Sequence, residues 1–154
     1  MWKKYVSSLI AVTMLAACGS SAKTKEVTAD DASSEASKLV EDLGLKDKTD
    51  LIEDKIVQGL FFFEDGVVTA DSVYIANDKT PDMVGVFATT DVDSCKQSIT
   101  DYLKNLKQTV QSYSPDEVFK IDNAIIEDNG KEVIVVVCND IETAKKEVDS
   151  LLGK

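Results

Sequence analysis

The chain has 154 residues, 28 of them acidic and 17 basic, for a formal net charge of −11. Every basic residue is a lysine, so the sequence has no guanidinium clamp for phosphate or carboxylate, no imidazole to activate a serine or cysteine, and no histidine metal ligand. At 44% apolar and 29% charged, its composition is that of one or two small folded domains rather than a disordered chain.

The first element in chain order is an address. Lys3 and Lys4 precede an uncharged apolar stretch from Tyr5 to Ala17. That stretch is shorter than the roughly 20 residues needed to span a bilayer and has the form of an export signal. It ends in Leu15-Ala16-Ala17-Cys18, which resembles the lipobox of bacterial lipoproteins. The resemblance implies that residues 1–17 are removed as a signal peptide and that Cys18, carrying a diacylglyceryl thioether, becomes the first residue of the mature chain. The alternative is an ordinary secretory signal that a cysteine happens to follow. Cleavage there would remove Lys3, Lys4 and the only tryptophan, Trp2, and take the net charge from −11 to −13. So acidic a body is repelled by anionic lipid and by nucleic acid. Membrane attachment would then fall to the lipid, and no nucleic-acid partner is expected.

Residues 18–29 read as the lipidated cysteine and a small, polar tether, reaching about 20 Å on average, and residues 30–154 as a single domain. From Asp30 the residues Ala32, Ala36, Leu39, Val40 and Leu43 recur at helical spacing, with Gly44 as the stop. Asp50 reads as the cap of a second short helix with Ile52, Ile56, Leu60 and Phe63 on its face, closed by the turn Glu64-Asp65-Gly66. Ser72–Ala76 and Met83–Thr89 read as a hairpin of strands. Asp91 then caps a long helix through Val92, Cys95, Ile99, Tyr102, Leu106, Val110 and Tyr113, which Pro115 ends. A second hairpin, 124–127 with 132–138, turns at Asn129-Gly130, and Asp140 caps a last helix.

Two segments align at a constant offset of 49 residues: Val84, Val86, Asp91, Lys96 and Leu103 with Val133, Val135, Asp140, Lys145 and Leu152. Either an internal repeat or the general likeness of capped strand-to-helix junctions accounts for this. The expected fold is α+β: two N-terminal helices, then ββα-ββα, forming a four-stranded antiparallel sheet with helices packed on it. The apolar strands 83–89 and 133–138 would lie at its centre.

The lipobox, Asp71-Ser72-Val73-Tyr74-Ile75, Tyr113-Ser114-Pro115-Asp116-Glu117 after the long helix, and the strand Val133–Val137 before Asn139-Asp140 together carry a resemblance. The chain resembles lipoproteins, mostly from Firmicutes, of the domain of unknown function 4358 family. The resemblance covers about residues 30–152 and implies class and location only, since that family has no assigned activity.

Several residue groups can be weighed as sites. Cys95 and Cys138 form an even pair in an exported chain, but they would lie at opposite edges of an antiparallel sheet, which favours two buried thiols over a disulfide. The acids Asp91, Asp93, Asp140 and Glu142 suit helix caps and first turns better than calcium ligands. The loop acids Asp78 and Asp82, with Asn77, match no calcium-loop pattern. A Ser20–Lys23 dyad would sit in the tether, where nothing preorganises it. Leu60-Phe61-Phe62-Phe63 reads as core plus one exposed ring, or as a contact patch. In Tyr113-Ser114-Pro115-Asp116-Glu117, Ser114 can cap and Pro115 suits the first position of a short helix. No cofactor or metal is expected. The reading is a membrane-anchored extracytoplasmic domain that binds an envelope protein or cell-wall partner without catalysis. The alternatives are a small histidine-independent enzyme using Asp and Tyr groups, and a regulatory or inhibitory lipoprotein acting on a membrane partner.

Overall fold

A computed structural model describes residues 26–154. The signal segment, Cys18 and the Ser20–Lys23 pair lie outside the described residues. Helix α1 (Ala29–Asp42) is capped by Thr28: the Thr28 hydroxyl accepts from the Asp31 N–H, and the Asp31 carboxylate accepts from the Thr28 N–H, forming a capping box. It ends as expected at Gly44, whose φ of 64° lets the Leu45 N–H reach the Val40 carbonyl at 2.8 Å and the Gly44 N–H that of Glu41 at 3.0 Å.

The next element departs from expectation. Thr49–Leu51 is a strand, β1, and helix α2 begins only at Asp54 (Asp54–Phe61). Asp50 therefore caps nothing. Pairing of Thr49 with Ala76 and Leu51 with Tyr74 covers part of a sheet edge that would otherwise stay open. Moving the helix start shifts its inward face: Val57 and Phe61 are buried, while Ile56 points outward. Tertiary pairing overrode a local cap signal here.

Strands β2 (Val68–Ala76) and β3 (Met83–Thr89), helix α3 (Val92–Tyr113), a 3-10 turn at Pro115–Glu117 with the short helix α4 (Val118–Asp122), strands β4 (Ile125–Asp128) and β5 (Glu132–Val137), and helix α5 (Ile141–Leu151) complete the order. The sheet has five strands in the order β1-β2-β3-β5-β4, all antiparallel. As expected, β3 and β5 are central and apolar on both faces.

Helices cover both faces. On one side α2 and α3 pack Val57, Phe61, Cys95, Ile99 and Val110 against Val73, Met83, Phe87, Val133 and Val135. On the other, α1 and α5 pack Ala32, Ala36, Leu39, Ala144 and Val148 against Val84, Val86, Ile134 and Val136. Each fully buried aliphatic side chain contributes about 1.5–3 kcal/mol of transfer free energy. At Gly85 an added Cβ would come within 2.8 Å of the Phe87 ring and 3.0 Å of Val135, so the bare backbone is what lets Phe87 fold across the strand.

The two ββα halves differ in one respect that the offset of 49 residues hides. Val84 and Val86 face α1 and α5, whereas their counterparts Val133 and Val135 face α2 and α3. Helix α3 lies on one face and α5 on the other. The halves share an order of elements, and a rotation that exchanges the antiparallel neighbours β3 and β5 would keep both helices on one face, so it does not relate them.

Candidate functional site

The most elaborate polar arrangement among the described residues stands where the β2–β3 loop meets the end of α3. The loop, residues 77–82, is closed by a bond from the Ala76 N–H to the Asp82 carbonyl at 2.8 Å. Within it Asp78 Oδ1 accepts from the Thr80 N–H at 2.8 Å. The Thr80 hydroxyl lies between Asp78 Oδ1 at 2.7 Å and Asp82 Oδ2 at 2.8 Å. These bonds, from the hydroxyl first and the amide second, hold the Asp78 carboxyl below its usual range.

Asp82 turns away from solvent onto Lys120 of α4. The Lys120 Nζ sits 3.1 Å from each Asp82 oxygen, and the two side chains are only 8% and 4% exposed. Glu117 Oε2 is 2.6 Å from the same nitrogen, an ion pair whose direction is off that of an aligned hydrogen bond. Burial works to lower the Lys120 pKa, but the adjacent carboxylates of Glu117 and Asp82 outweigh it, so the ammonium is held above its ordinary value. One ammonium and two carboxylates thus meet under the loop, with Lys120 shared between Asp82 and Glu117.

Above them a cleft of about 180 Å³ opens, with Asp78, Thr80 and Pro81 on the loop side and Tyr102, Leu106 and Tyr113 of α3 opposite. Met83, the first residue of β3, also lines it. Burial raises the Tyr102 pKa, with nearby Tyr113 adding to the shift, so Tyr102 stays a neutral phenol. The arrangement offers an ionised carboxylate, hydroxyls and an aliphatic wall to one small group.

The other expected residues fall as follows. Asp91 and Asp140 are N-caps, accepting from the Ser94 N–H at 3.0 Å and the Thr143 N–H at 3.1 Å, with Asp93 and Glu142 in the first turns. Cys95 and Cys138 are free and buried, in cores on opposite faces of the sheet. Burial pushes the Cys95 thiol up to about 12, against a weaker opposing bond with Thr89. Pro115 begins the 3-10 turn, but Ser114 makes no side-chain cap.

In the aromatic run, Phe61 and Phe63 stack at 5.4 Å and both meet Phe87, while Phe62 is 80% exposed. The run is thus core plus one exposed ring, with Phe61 joining Phe63 in the core although the helical spacing does not include it. Phe62 ends α2 in the left-handed region at φ 52°. Among the described residues no three acidic or cysteine side chains gather closely enough to hold a metal ion, and no helix is long and apolar enough to cross a membrane.

Sequence reasoning missed Lys120, since a lysine 38 residues from Asp82 carries no local sign of burial. It also missed Asp71, whose carboxyl is raised to about 6 by burial first and the charge of Asp54 second. The strand expected at Ser72–Ala76 begins instead at Val68, so Asp71 falls inside β2 rather than ahead of it. Compared with protein-family models, curated proteins and solved structures, the chain matches none.

Proposed function

We propose that the chain is a lipid-anchored extracytoplasmic binding domain, held at the outer face of the cell membrane through Cys18 and engaging an envelope protein or cell-wall component through the cleft between Asp78 and Tyr113. The resemblance to lipoproteins of the domain of unknown function 4358 family is part of this proposal and rests on the motifs that suggested it.

The observation that carries the reading is the polarity of β3. Met83 at its start lines the cleft, and Thr89 at its end lines a cavity with Glu26 and Val27, where the described chain begins. Seven residues of strand separate these ends by about 20 Å. A lipid on Cys18, eight residues before Glu26, would join the chain from the end of the domain opposite the cleft, which supports this reading. That is the arrangement a tethered receptor needs.

A histidine-independent enzyme working through Asp and Tyr groups is the second reading. Asp78 is held ionised and Tyr102 neutral, so neither is tuned toward neutral pH as an acid–base catalyst requires. The carboxyl that is raised toward neutrality, Asp71, is not among the cleft residues. Both facts favour binding. Action on a membrane-bound partner as a regulator or inhibitor is a form of the same reading.

The test is a photocrosslinking residue placed at Thr80 in the anchored protein, compared with one at Lys146 on the outer side of α5. A discrete adduct from position 80 alone, lost when Tyr113→Ala is added, is the expected result. Equal adducts from both positions, or none from position 80, would overturn the use of this cleft.

A further inference from the structure

A second cavity, of about 290 Å³, lies at the opposite end of the sheet from the cleft, between the start of α1 and the β4–β5 turn. Glu26, Asp31, Glu35 and Glu132 line it, with Asn129 and Lys131. Acidic clusters on a protein of charge −11 are common, and this one would say nothing without the state of Glu132. That residue opens β5 opposite Ala88 and is 3% exposed. Its Oε1 accepts from Asn129 Nδ2 at 2.6 Å, but its Oε2 is buried without a hydrogen-bond partner among the described residues.

The turn fixes this geometry. Asn129 Oδ1 accepts from the N–H groups of both Lys131 and Glu132 at 3.1 Å, which orients the amide so that Nδ2 faces Glu132. Asn129 therefore satisfies one oxygen of the carboxylate through Nδ2 and has no donor for the other. Lys131 shares the cavity, yet Oε2 remains without a bond to it. A buried carboxylate oxygen left in this state is costly unless something outside the described residues satisfies it.

We propose that this cavity is a seat for a primary ammonium group, with Glu132 Oε2 as its principal acceptor. The lining carries more acids than its one lysine, even with Asp31 engaged by Thr28, and so favours a cation at Glu132. A metal ion fits poorly, because the acids are spread around the cavity and no three of them meet metal-holding geometry among the described residues. An ammonium presents three donors at hydrogen-bond length, so it can serve dispersed acceptors, and its carbon stem suits Val27 on the wall. Two sources bring this chemistry: Lys23 or Lys25 of the chain itself, just ahead of Glu26, or a free amine. The seat is separate from the cleft, so failure of one reading leaves the other standing.

The experiment follows amide NMR signals of the full chain in neutral detergent micelles during titration with propylammonium, and with tetramethylammonium, which has no N–H donor. It is run on the wild type, on Lys23→Gln/Lys25→Gln, and on that variant with Glu132→Gln added. The expected result is a saturable shift of Asn129, Lys131 and Glu132 with propylammonium alone in the Lys23→Gln/Lys25→Gln variant, weakened at least tenfold by Glu132→Gln. A weaker response in the wild type assigns the seat to the chain's own lysine, and an equal one assigns it to free amines; both support the proposal. Equal responses to the two cations, no response in either background, or no loss with Glu132→Gln would overturn it. If Glu132→Gln fails to fold, the comparison of the two cations in the Lys23→Gln/Lys25→Gln variant still decides.

Discussion

Lys120 Nζ bonds both carboxylate oxygens of Asp82 at 3.1 Å, joining α4 to the β2–β3 loop beneath the cleft. Breaking a buried pair of this kind leaves a charge without its partner, and Glu117 compensates only in part. Asp82→Ala is expected to destabilise the fold by about 3 kcal/mol, whereas Asp82→Leu with Lys120→Met should recover most of that loss. Urea denaturation of the single and double variants checks both. Because the Lys120 pKa is raised, its contribution is present through neutral pH and is lost only as pH rises beyond the ordinary lysine value of 10.5.

Asp71 should give the opposite kind of pH dependence. Its folded-state pKa of about 6 lies above the usual 3.8, so the folded chain holds the proton more tightly than the unfolded chain between those values. Stability from this group is therefore greatest below pH 4 and falls as pH rises toward 6. Asp71→Asn is expected to remove that slope and to stabilise the protein at pH 7 by about 1 kcal/mol, a figure discounted because the side chain is partly exposed. Unfolding midpoints measured from pH 4 to 7 test the slope.

Phe62 occupies a backbone conformation that suits glycine, and its ring makes little use of the core. Replacing it with glycine relieves the Cβ clash of the left-handed region and is expected to raise stability by about 1 kcal/mol. A loss of stability in urea would mean that the ring packs in solution. A ring kept exposed at such a position is the form that a contact residue takes, so the same variant in the crosslinking experiment reports whether the partner touches α2 as well as the cleft.

Cys95 and Cys138 should behave as inert thiols. Burial raises both pKa values, and the sheet stands between them. Iodoacetamide at pH 8 is expected to leave both unmodified in the folded protein and to alkylate both after denaturation, as read by mass spectrometry. A mass without alkylation in denaturant, with both cysteines alkylated only after a reductant is added, would contradict the free-thiol assignment.

Much of the fold was legible because local and tertiary preferences agree. The apolar runs at Met83–Thr89 and Val133–Val137, the caps Asp91 and Asp140, and the Asn129-Gly130 turn each carry their structure in a few neighbouring residues. Thr49–Leu51 was not legible, since three residues form a strand only when β2 presents an edge to them. The same holds for the burial of Lys120 and Glu132, which look like any surface charge until the fold brings Asp82 or Asn129 beside them. The offset of 49 residues shows the limit from the other side: equal local patterns lie on opposite faces, because pairing rather than pattern decides which way a strand is turned.

The anchor is the claim on which location and orientation both depend, and an intact mass tests it most directly. Protein extracted from the membrane fraction of cells expressing the full chain should have the mass of residues 18–154 plus a diacylglyceryl group, and Cys18→Ala should leave an unprocessed chain without lipid. A Cys18→Ala protein that fractionates like the wild type with its signal removed, or a wild-type mass with no lipid on Cys18, would contradict the account.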